Sequence, residues 1–280
     1  MDGRRCATVG AVEIAIGCRF QFDVANPTHA VVLVEPHVDE EWRVRDTRFS
    51  IKPAVPMAIY GDLFGNRCRR LTLPAGPVEL QFTATVDETG APDDSAADAR
   101  ELDPAELPDD ALVFLLPSRY CQSDQVASFA FEQFGPVSPG WARVQAITQW
   151  VHDRIGFDYG AASPSTTAVD VLRDGHGVCR DFAHLGIALC RALNIPARYV
   201  VGYLPDIGVP DPGTPMDFCA WMDVYVGNRW YTFDPRNNQH RIGRTIIGRG
   251  RDAADVAMVT TFGSVQLASM TVIAEELVRR

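Results

Sequence analysis

The sequence predicts an α+β fold, with an N-terminal antiparallel β-sandwich and a C-terminal domain of helices followed by strands. Apolar residues recur at every second position in the first eighty-odd residues, whereas they follow helical spacing after residue 138. Helices grouped ahead of strands, rather than alternating with them, are typical of α+β proteins. We therefore expect a β-sandwich over residues 1–86, a linker over 87–116 and a core domain over 117–280.

Alternation of apolar and polar side chains identifies the N-terminal strands. It is clearest at residues 12–16, 20–22 and 78–86, and this pattern is typical of strands with one buried face. Gly65 and Asn66 lie between two apolar runs and suit a tight hairpin turn. Several short strands without helical periodicity between them predict a small antiparallel sandwich.

Residues 87–110 form a segment of different composition. The segment holds ten carboxylates, one arginine and three prolines, with few large apolar residues. Such a segment buries too little apolar surface to order itself strongly. We predict a solvated linker or a long surface loop here, with an acidic docking segment as the alternative.

Periodicity and capping residues give the elements of the C-terminal domain. Ser138 and Pro139 resemble a helix start, and apolar residues then continue at helical spacing. Further helices are predicted over residues 167–173 and 179–193. Strands are then predicted over residues 198–204, 220–226 and 230–233.

Composition limits the partners and the location that we expect. The chain has 36 acidic and 26 basic residues, a net charge of −10, which argues against binding to nucleic acid or to an anionic membrane surface. No apolar run reaches the ~18 residues of a transmembrane helix, and Glu13 interrupts the apolar stretch near the start, so we expect neither a membrane span nor a secretory signal. The seven cysteines form no CxxC pair, which predicts reduced thiols in a cytoplasmic protein rather than a disulfide framework.

The strongest chemical signal lies where Cys179 follows a glycine-containing turn and opens an apolar-periodic helix. Free N–H groups and the positive dipole end at a helix start favour negative charge, so a thiol there loses its proton more easily. The same N–H groups can stabilise the oxyanion that forms when a thiolate attacks a carbonyl. Residues 175–181 therefore predict a nucleophilic thiol, with a small buried residue at a helix start as the alternative.

Three blocks of sequence, at residues 177–205, 217–238 and 249–263, resemble the bacterial transglutaminase-like superfamily. The first two contain, in order, Gly-x-Cys at a helix start, an Ala-Trp-x-x-Val-Tyr strand and an aromatic-Asp-Pro strand end. The resemblance implies a papain-like transglutaminase core with a Cys–His–Asp triad, preceded by a β domain. It assigns the nucleophile to Cys179 and the acid that orients the imidazole to Asp234.

The histidine of that triad is absent from its expected position. The residue before Ala220-Trp221, where the superfamily usually has histidine, is Cys219. A neutral thiol with an unperturbed pKa near ~8.5 cannot form the thiolate–imidazolium pair that a histidine with a pKa near ~6.5 forms. We therefore expect slow turnover of amides unless His176 or His240 acts as a substitute base.

These residues lead to three hypotheses for the function. The first is a cysteine hydrolase or acyl transferase that forms a thioester at Cys179 with a peptide or glutamine-type amide. The second is a catalytically silent protein that binds a peptide or protein in the retained cleft, with Trp221 as a cleft wall. The third is a metal or redox site in which Cys179 and Cys219 face each other, with Asp234 behind them. None of the three requires an organic cofactor.

Overall fold

The computed structural model describes residues 11–161 and 163–277 of the chain. Its strands and helices are, in chain order, β1 (Val12–Val24), β2 (Thr28–Val32), β3 (Val44–Lys52), β4 (Met57–Gly61), β5 (Arg67–Leu73), β6 (Gly76–Glu88), α1 (Asp109–Leu112), α2 (Ala127–Phe134), α3 (Trp141–Arg154), β7 (Gly156–Phe157), α4 (Ala168–Asp174), β8 (His176–Gly177), α5 (Cys179–Ala192), β9 (Ala197–Tyr203), β10 (Cys219–Val226), β11 (Arg229–Phe233), β12 (Thr245–Gly250), β13 (Val259–Thr261) and β14 (Val265–Leu277). Short 3-10 helices lie over Val38–Arg43, Pro104–Glu106, Val113–Leu115 and Tyr159–Ala161. This mixture of helices and antiparallel sheets confirms the predicted α+β fold.

Two four-stranded antiparallel sheets build the N-terminal part of the fold. Their strand orders are β14-β1-β6-β3 and β13-β2-β5-β4. The apolar side chains that alternate along the strands explain why the sheets pack together, because Ile14 and Phe20 of β1 and Phe82 of β6 are buried in the same core as Leu71 and Leu73 of β5.

The last two strands of the described chain return to these N-terminal sheets. Strand β14 pairs antiparallel with β1 from Glu13↔Leu277 to Val24↔Val265, and β13 pairs with β2. The extent of the core domain therefore differs from the expected 117–280, since residues 259–277 complete the sandwich. Strand pairing between the two ends of a chain is set by tertiary contacts, which local patterning does not report.

The acidic segment is mostly exposed irregular chain, as in the predicted alternative of a long surface loop, but it is anchored to the body of the protein rather than being a free linker. Leu102, Leu107 and Phe114 are buried against the body of the protein. Its carboxylates pair with arginines from distant elements, with Arg143 donating to Glu101 at 2.8 Å and Arg244 donating to Asp93 at 2.9 Å. The segment is thus ordered by partners elsewhere in the chain rather than by its own apolar content.

Helix α5 forms the centre of the C-terminal part. It packs against strands β10 and β9 of a four-stranded antiparallel sheet with the order β11-β10-β9-β12, and helices α2, α3 and α4 also contact it. The predicted helices over 167–173 and 179–193 and the three predicted strands lie within a residue or so of the observed ones. Other details differ: helix α2 and strand β12 were not predicted, and α3 has Gly140 as its N-cap rather than Ser138.

Within the described ranges, no helix combines the length and the apolar character needed to cross a lipid bilayer.

Candidate active site

The N-terminus of α5 is held in place by a short parallel ladder and a buried carboxylate. Strand β8 pairs with β7 and delivers the chain to the helix start, where the Val178 N–H donates to Asp181 Oδ2 at 2.9 Å. Glycine is required at position 177 because a Cβ there would lie 2.6 Å from the Asp181 Cβ. Asp181 is fully buried and also accepts hydrogen bonds from Arg180. These contacts fix Cys179 as the first residue of the helix, half-buried and facing a pocket.

The two cysteines singled out in the sequence lie side by side. Cys219 is the first residue of β10, and its thiol lies within hydrogen-bonding reach of the Cys179 sulfur. The Cys179 Sγ is also 3.9 Å from the Phe218 carbonyl oxygen. Both cysteines contact a small apolar cluster that contains Val200 and Leu204. The fold therefore brings positions 179 and 219 together, 40 residues apart in sequence.

The two thiols differ in acidity. A hydrogen bond from the Cys219 thiol lowers the pKa of Cys179, and the nearby Arg236 guanidinium acts in the same direction. The same hydrogen bond, together with burial, raises the pKa of Cys219 well above its usual value. Burial also raises the pKa of Cys18 and Cys121, to about 12 in each case. Cys179 is therefore the thiol of the pair that loses its proton more easily, and Cys219 is the one that keeps it.

Asp234 lies directly after β11 and is engaged by a cation rather than by an imidazole. Its Oδ2 accepts hydrogen bonds from Arg244 at 2.8 Å and from the Asn237 side chain at 2.8 Å. Burial alone would raise the pKa of Asp234, but the Arg244 guanidinium and the hydrogen bonds from Asn237 together hold that pKa below its usual value. The carboxylate is close enough to Cys219 to raise the pKa of that thiol. Asp234 thus lies close to Cys219, with its oxygens already bound.

Arg244 is a site residue that sequence reasoning missed. Its Nε donates to both oxygens of Asp93, at 3.0 and 2.9 Å, while its Nη2 donates to Asp234. The guanidinium carbon lies 4.8 Å from the centre of the Trp221 ring, and the positive charge opposes the rise in the pKa of Cys219. A fixed cation therefore stands near the position where the superfamily has an imidazole. No local signal marks it, because both carboxylate partners are remote in sequence.

Trp221 is not a cleft wall, which corrects that prediction. Its side chain has 0% of its surface exposed and lies against Arg244 and Cys219 in the interior. Cys219 and Trp221 are two residues apart on β10 and therefore lie on the same face of the sheet. Only the thiol end of that face reaches the pocket, because Cys219 is at the strand end and Trp221 lies further along.

The proposed substitute bases lie elsewhere. His176 is exposed on β8, and His240 is exposed beside a separate depression that also contacts Trp141 and the far side of Asp234. Among the described residues that line the thiol pocket there is no histidine. Neither His176 nor His240 is therefore positioned to receive a proton from Cys179 in this conformation.

A pocket of about 200 Å³ opens in front of Cys179. Much of its wall comes from the 15-residue loop 204–218 between β9 and β10, which supplies Met216, Asp217 and Phe218, while Phe157 and Tyr159 line the opposite side. Long irregular loops in compact proteins commonly serve binding or catalysis. The strands on either side of this loop were predictable from the sequence, but the role of the loop in the pocket was not.

The metal hypothesis finds no third ligand in the part of the chain that the structure describes. Within residues 11–161 and 163–277, no three His, Cys, Asp or Glu side chains converge closely enough to hold a metal ion. The nearest carboxylate, Asp234, is bound by Arg244 and Asn237. The thiol pair therefore lacks the donors that a tetrahedral zinc site needs.

A helix begins with Cys179 and packs against an antiparallel sheet, and Asp234 directly follows one strand of that sheet. This arrangement is typical of the papain-like fold. The sequence profile of the Transglutaminase-like superfamily matches residues 127–235, a range that includes Cys179, Cys219 and Asp234. A crystal structure of a candidate cysteine protease from Cytophaga hutchinsonii is 32% identical and superposes with a TM-score of 0.84, covering 97% of this chain and 92% of that one. The chain belongs to the transglutaminase-like superfamily, which confirms the predicted resemblance.

Two uncharacterised mycobacterial proteins are also similar to this chain. The protein from Mycobacterium leprae is 33% identical over 117 residues, which are 41% of this chain and 42% of that protein. The protein from Mycobacterium tuberculosis strain H37Rv is 34% identical over 145 residues, which are 48% of this chain and 46% of that protein. The matched segment thus spans less than half the length of these curated relatives.

Proposed function

We propose that the protein is a cysteine-dependent acyl transferase or hydrolase that forms a thioester at Cys179 with a peptide or glutamine-type amide. The observation that supports this most directly is the lowered pKa of Cys179 at the mouth of a pocket, beside a second thiol that donates to it. Among the described cysteines with a shifted pKa, Cys179 alone is shifted downward. The match to the Cytophaga hutchinsonii candidate cysteine protease supports the same chemistry.

The proposed reaction begins when the Cys179 thiolate attacks the amide carbonyl carbon. A C–S bond forms, and the oxygen becomes an oxyanion that the N–H groups at the start of α5 are placed to stabilise. The C–N bond then breaks, and the leaving amine takes the thiol proton of Cys219, which leaves Cys219 as a thiolate. Water or an amine next attacks the thioester, expels the Cys179 thiolate and gives up its proton to Cys219.

The weak step in this scheme is protonation of the leaving amine. Burial and the hydrogen bond to Cys179 both raise the pKa of Cys219, so this thiol is a poorer proton donor than an imidazolium. Amide turnover should therefore be slow, whereas an acyl group with a leaving group that needs no proton should transfer readily. A reducing location suits the pair, because its oxidation to a disulfide removes the nucleophile. Cytoplasmic location and a peptide or protein substrate remain predictions.

Activated esters test the proposal directly. With a p-nitrophenyl ester of a short N-acetyl peptide, we expect one nitrophenolate released per protein in an initial burst, and a peptide mass on Cys179 that mass spectrometry detects. Ester cleavage should exceed cleavage of the matched amide by about 10³-fold or more, because nitrophenolate leaves without a proton. Cys179→Ala should abolish the burst, and Cys190→Ala, which alters a buried thiol on the same helix, should retain it.

The other two hypotheses make different predictions in the same experiment. A silent binding protein would bind the peptide without a burst or an adduct on Cys179. With oxidised glutathione added as the oxidant, a redox site would give a species that lacks two hydrogens and in which Cys179 and Cys219 are joined, while the oxidant is reduced to two glutathione thiols, and thiol reductant would reverse this. The contact between the two thiols favours this second candidate function. Absence of any Cys179 adduct from the fully reduced protein would contradict the acyl-transfer proposal.

A further inference from the structure

Among the described residues, four charged side chains line the pocket in front of Cys179, and two of them neutralise each other. The Arg241 Nη2 donates to Asp206 Oδ1 at 2.8 Å and to the Pro205 carbonyl at 2.9 Å. This pair is close enough to count as a direct ion pair, so it contributes little net charge to the pocket. The charge that a substrate meets then depends on the remaining two side chains, Asp217 and Arg236.

Arg236 already has a favourable contact. Its guanidinium carbon lies 4.3 Å from the centre of the Phe157 ring, within the range of a cation–π interaction. The guanidinium thus covers part of the exposed Phe157 ring, and the ring partly stabilises its positive charge. The Arg236 charge also favours the Cys179 thiolate, which further accounts for its place at the site.

Of the two described carboxylates that line the pocket, Asp217 is the one without an ion pair. Its Oδ1 accepts one hydrogen bond, from the Phe218 N–H at 2.7 Å. Throughout residues 11–161 and 163–277 no basic side chain forms an ion pair with it. Burial raises the pKa of Asp217, and the Phe218 N–H and the Arg236 guanidinium offset this only in part. Because a partly buried carboxylate has lost some of its hydration, a positively charged group on a ligand would stabilise it by a charge-assisted hydrogen bond.

We propose that the pocket selects substrates with an ammonium or guanidinium group, and that Asp217 is the specificity-determining residue. This inference rests on the proposed function, since it names the class of peptide whose acyl group is transferred to Cys179. Phe157, Tyr159 and Met216 supply apolar surface along which the alkyl stem of a lysine or arginine side chain can pack. Asp217 then receives the charged end, while Arg236 disfavours binding in the opposite orientation.

Binding is measured first, in a background that needs no catalysis. In Cys179→Ala, we compare by titration calorimetry two N-acetylated, amidated peptides that differ only in a central lysine or glutamate. The lysine peptide should bind about 5–20-fold more tightly at low salt, as expected for one partly screened charge pair. Adding Asp217→Asn should remove this preference, because asparagine retains the acceptor for the Phe218 N–H but not the charge. Adding Asp206→Asn is the matched control and should leave the preference within about twofold, because that carboxylate is already paired.

Alkylation of the native thiol gives a second, independent measurement. Two iodoacetamides that differ only in a trimethylammonium or a sulfonate tail are compared at Cys179, with N-acetylcysteine correcting for intrinsic reactivity. The cationic reagent should react about 5–20-fold faster, and Asp217→Asn should bring the two rates together. A reactive Cys179 with equal rates, or a preference for glutamate and sulfonate, would overturn the inference about Asp217 and leave the acyl-transfer proposal intact. If the lysine peptide binds more tightly but Cys179 forms no adduct, the inference about Asp217 stands and the acyl-transfer proposal fails.

Discussion

Replacement of Cys219 by histidine is expected to raise the rate of amide cleavage or transfer at Cys179 by roughly 10²-fold or more, since a positioned acid–base group typically contributes 10²–10⁴-fold. The imidazole would take the place of the thiol that now donates to Cys179, form an ion pair with the thiolate and protonate the leaving amine. The measurement is a comparison of parent and Cys219→His on a mixed peptide amide library, with products identified by mass spectrometry.

The expected gain falls short of a complete triad because Asp234 is already bound. Its Oδ2 accepts from Arg244 and Asn237, so an imidazole at position 219 would compete with these donors for its orienting hydrogen bond. The ester reaction provides the internal control: the rate with the p-nitrophenyl ester should change far less than the amide rate, since no proton is needed there. Equal amide rates in both proteins would show that another base already serves, which contradicts the proposed role of Cys219.

The elements of the core were predictable because their information is local. Cys179 opens a helix whose apolar residues repeat at helical spacing, and β9 and β10 are apolar runs bounded by breakers. Helix α2 has eight residues, about two turns, and so offers too little periodicity to be recognised. The superfamily resemblance added the expectation that positions 179, 219 and 234 meet, which no spacing rule provides.

What could not be predicted depends on contacts between distant residues. The Arg244–Asp93 interaction joins residues 151 positions apart, and β14 pairs with β1 from the opposite end of the chain. The acidic composition of residues 87–110 indicated solvation because the sequence does not state which arginines will face it. The burial of Trp221 could not be predicted either, because the residue that covers its ring, Arg244, lies 23 positions away in the sequence. In each case the outcome was decided by a partner that the local sequence does not show, either a paired strand or a charged side chain.

That remote partner also gives the largest expected change in stability. Arg244→Met should lower the free energy of unfolding at neutral pH by roughly 3–5 kcal/mol, because removing one member of a buried ion pair leaves uncompensated charge in the interior. Here the buried Asp234 and the partly buried Asp93 would lose their guanidinium, and the Arg244 side chain itself is only 6% exposed. Urea unfolding curves measure the change, and Arg229→Met, which removes an ion pair with 54% of the arginine side chain exposed, is the control expected to cost less than about 1 kcal/mol.

The effect of Arg244→Met should shrink as the pH falls. In the parent, Arg244 holds the pKa of Asp234 below its unfolded value, so the stability that this carboxylate contributes is present above the unfolded pKa and is lost as pH falls through the folded one. In the variant, burial without the cation should raise that pKa above the unfolded value, so protonation on acidification relieves the buried charge and favours the folded state. The difference in unfolding free energy between the two proteins should therefore decrease from about pH 7 to about pH 4. A difference that stays constant over this range would mean that the buried charge of Asp234 is not what Arg244 compensates, and a double variant with Asp234→Asn would then show additive rather than coupled effects.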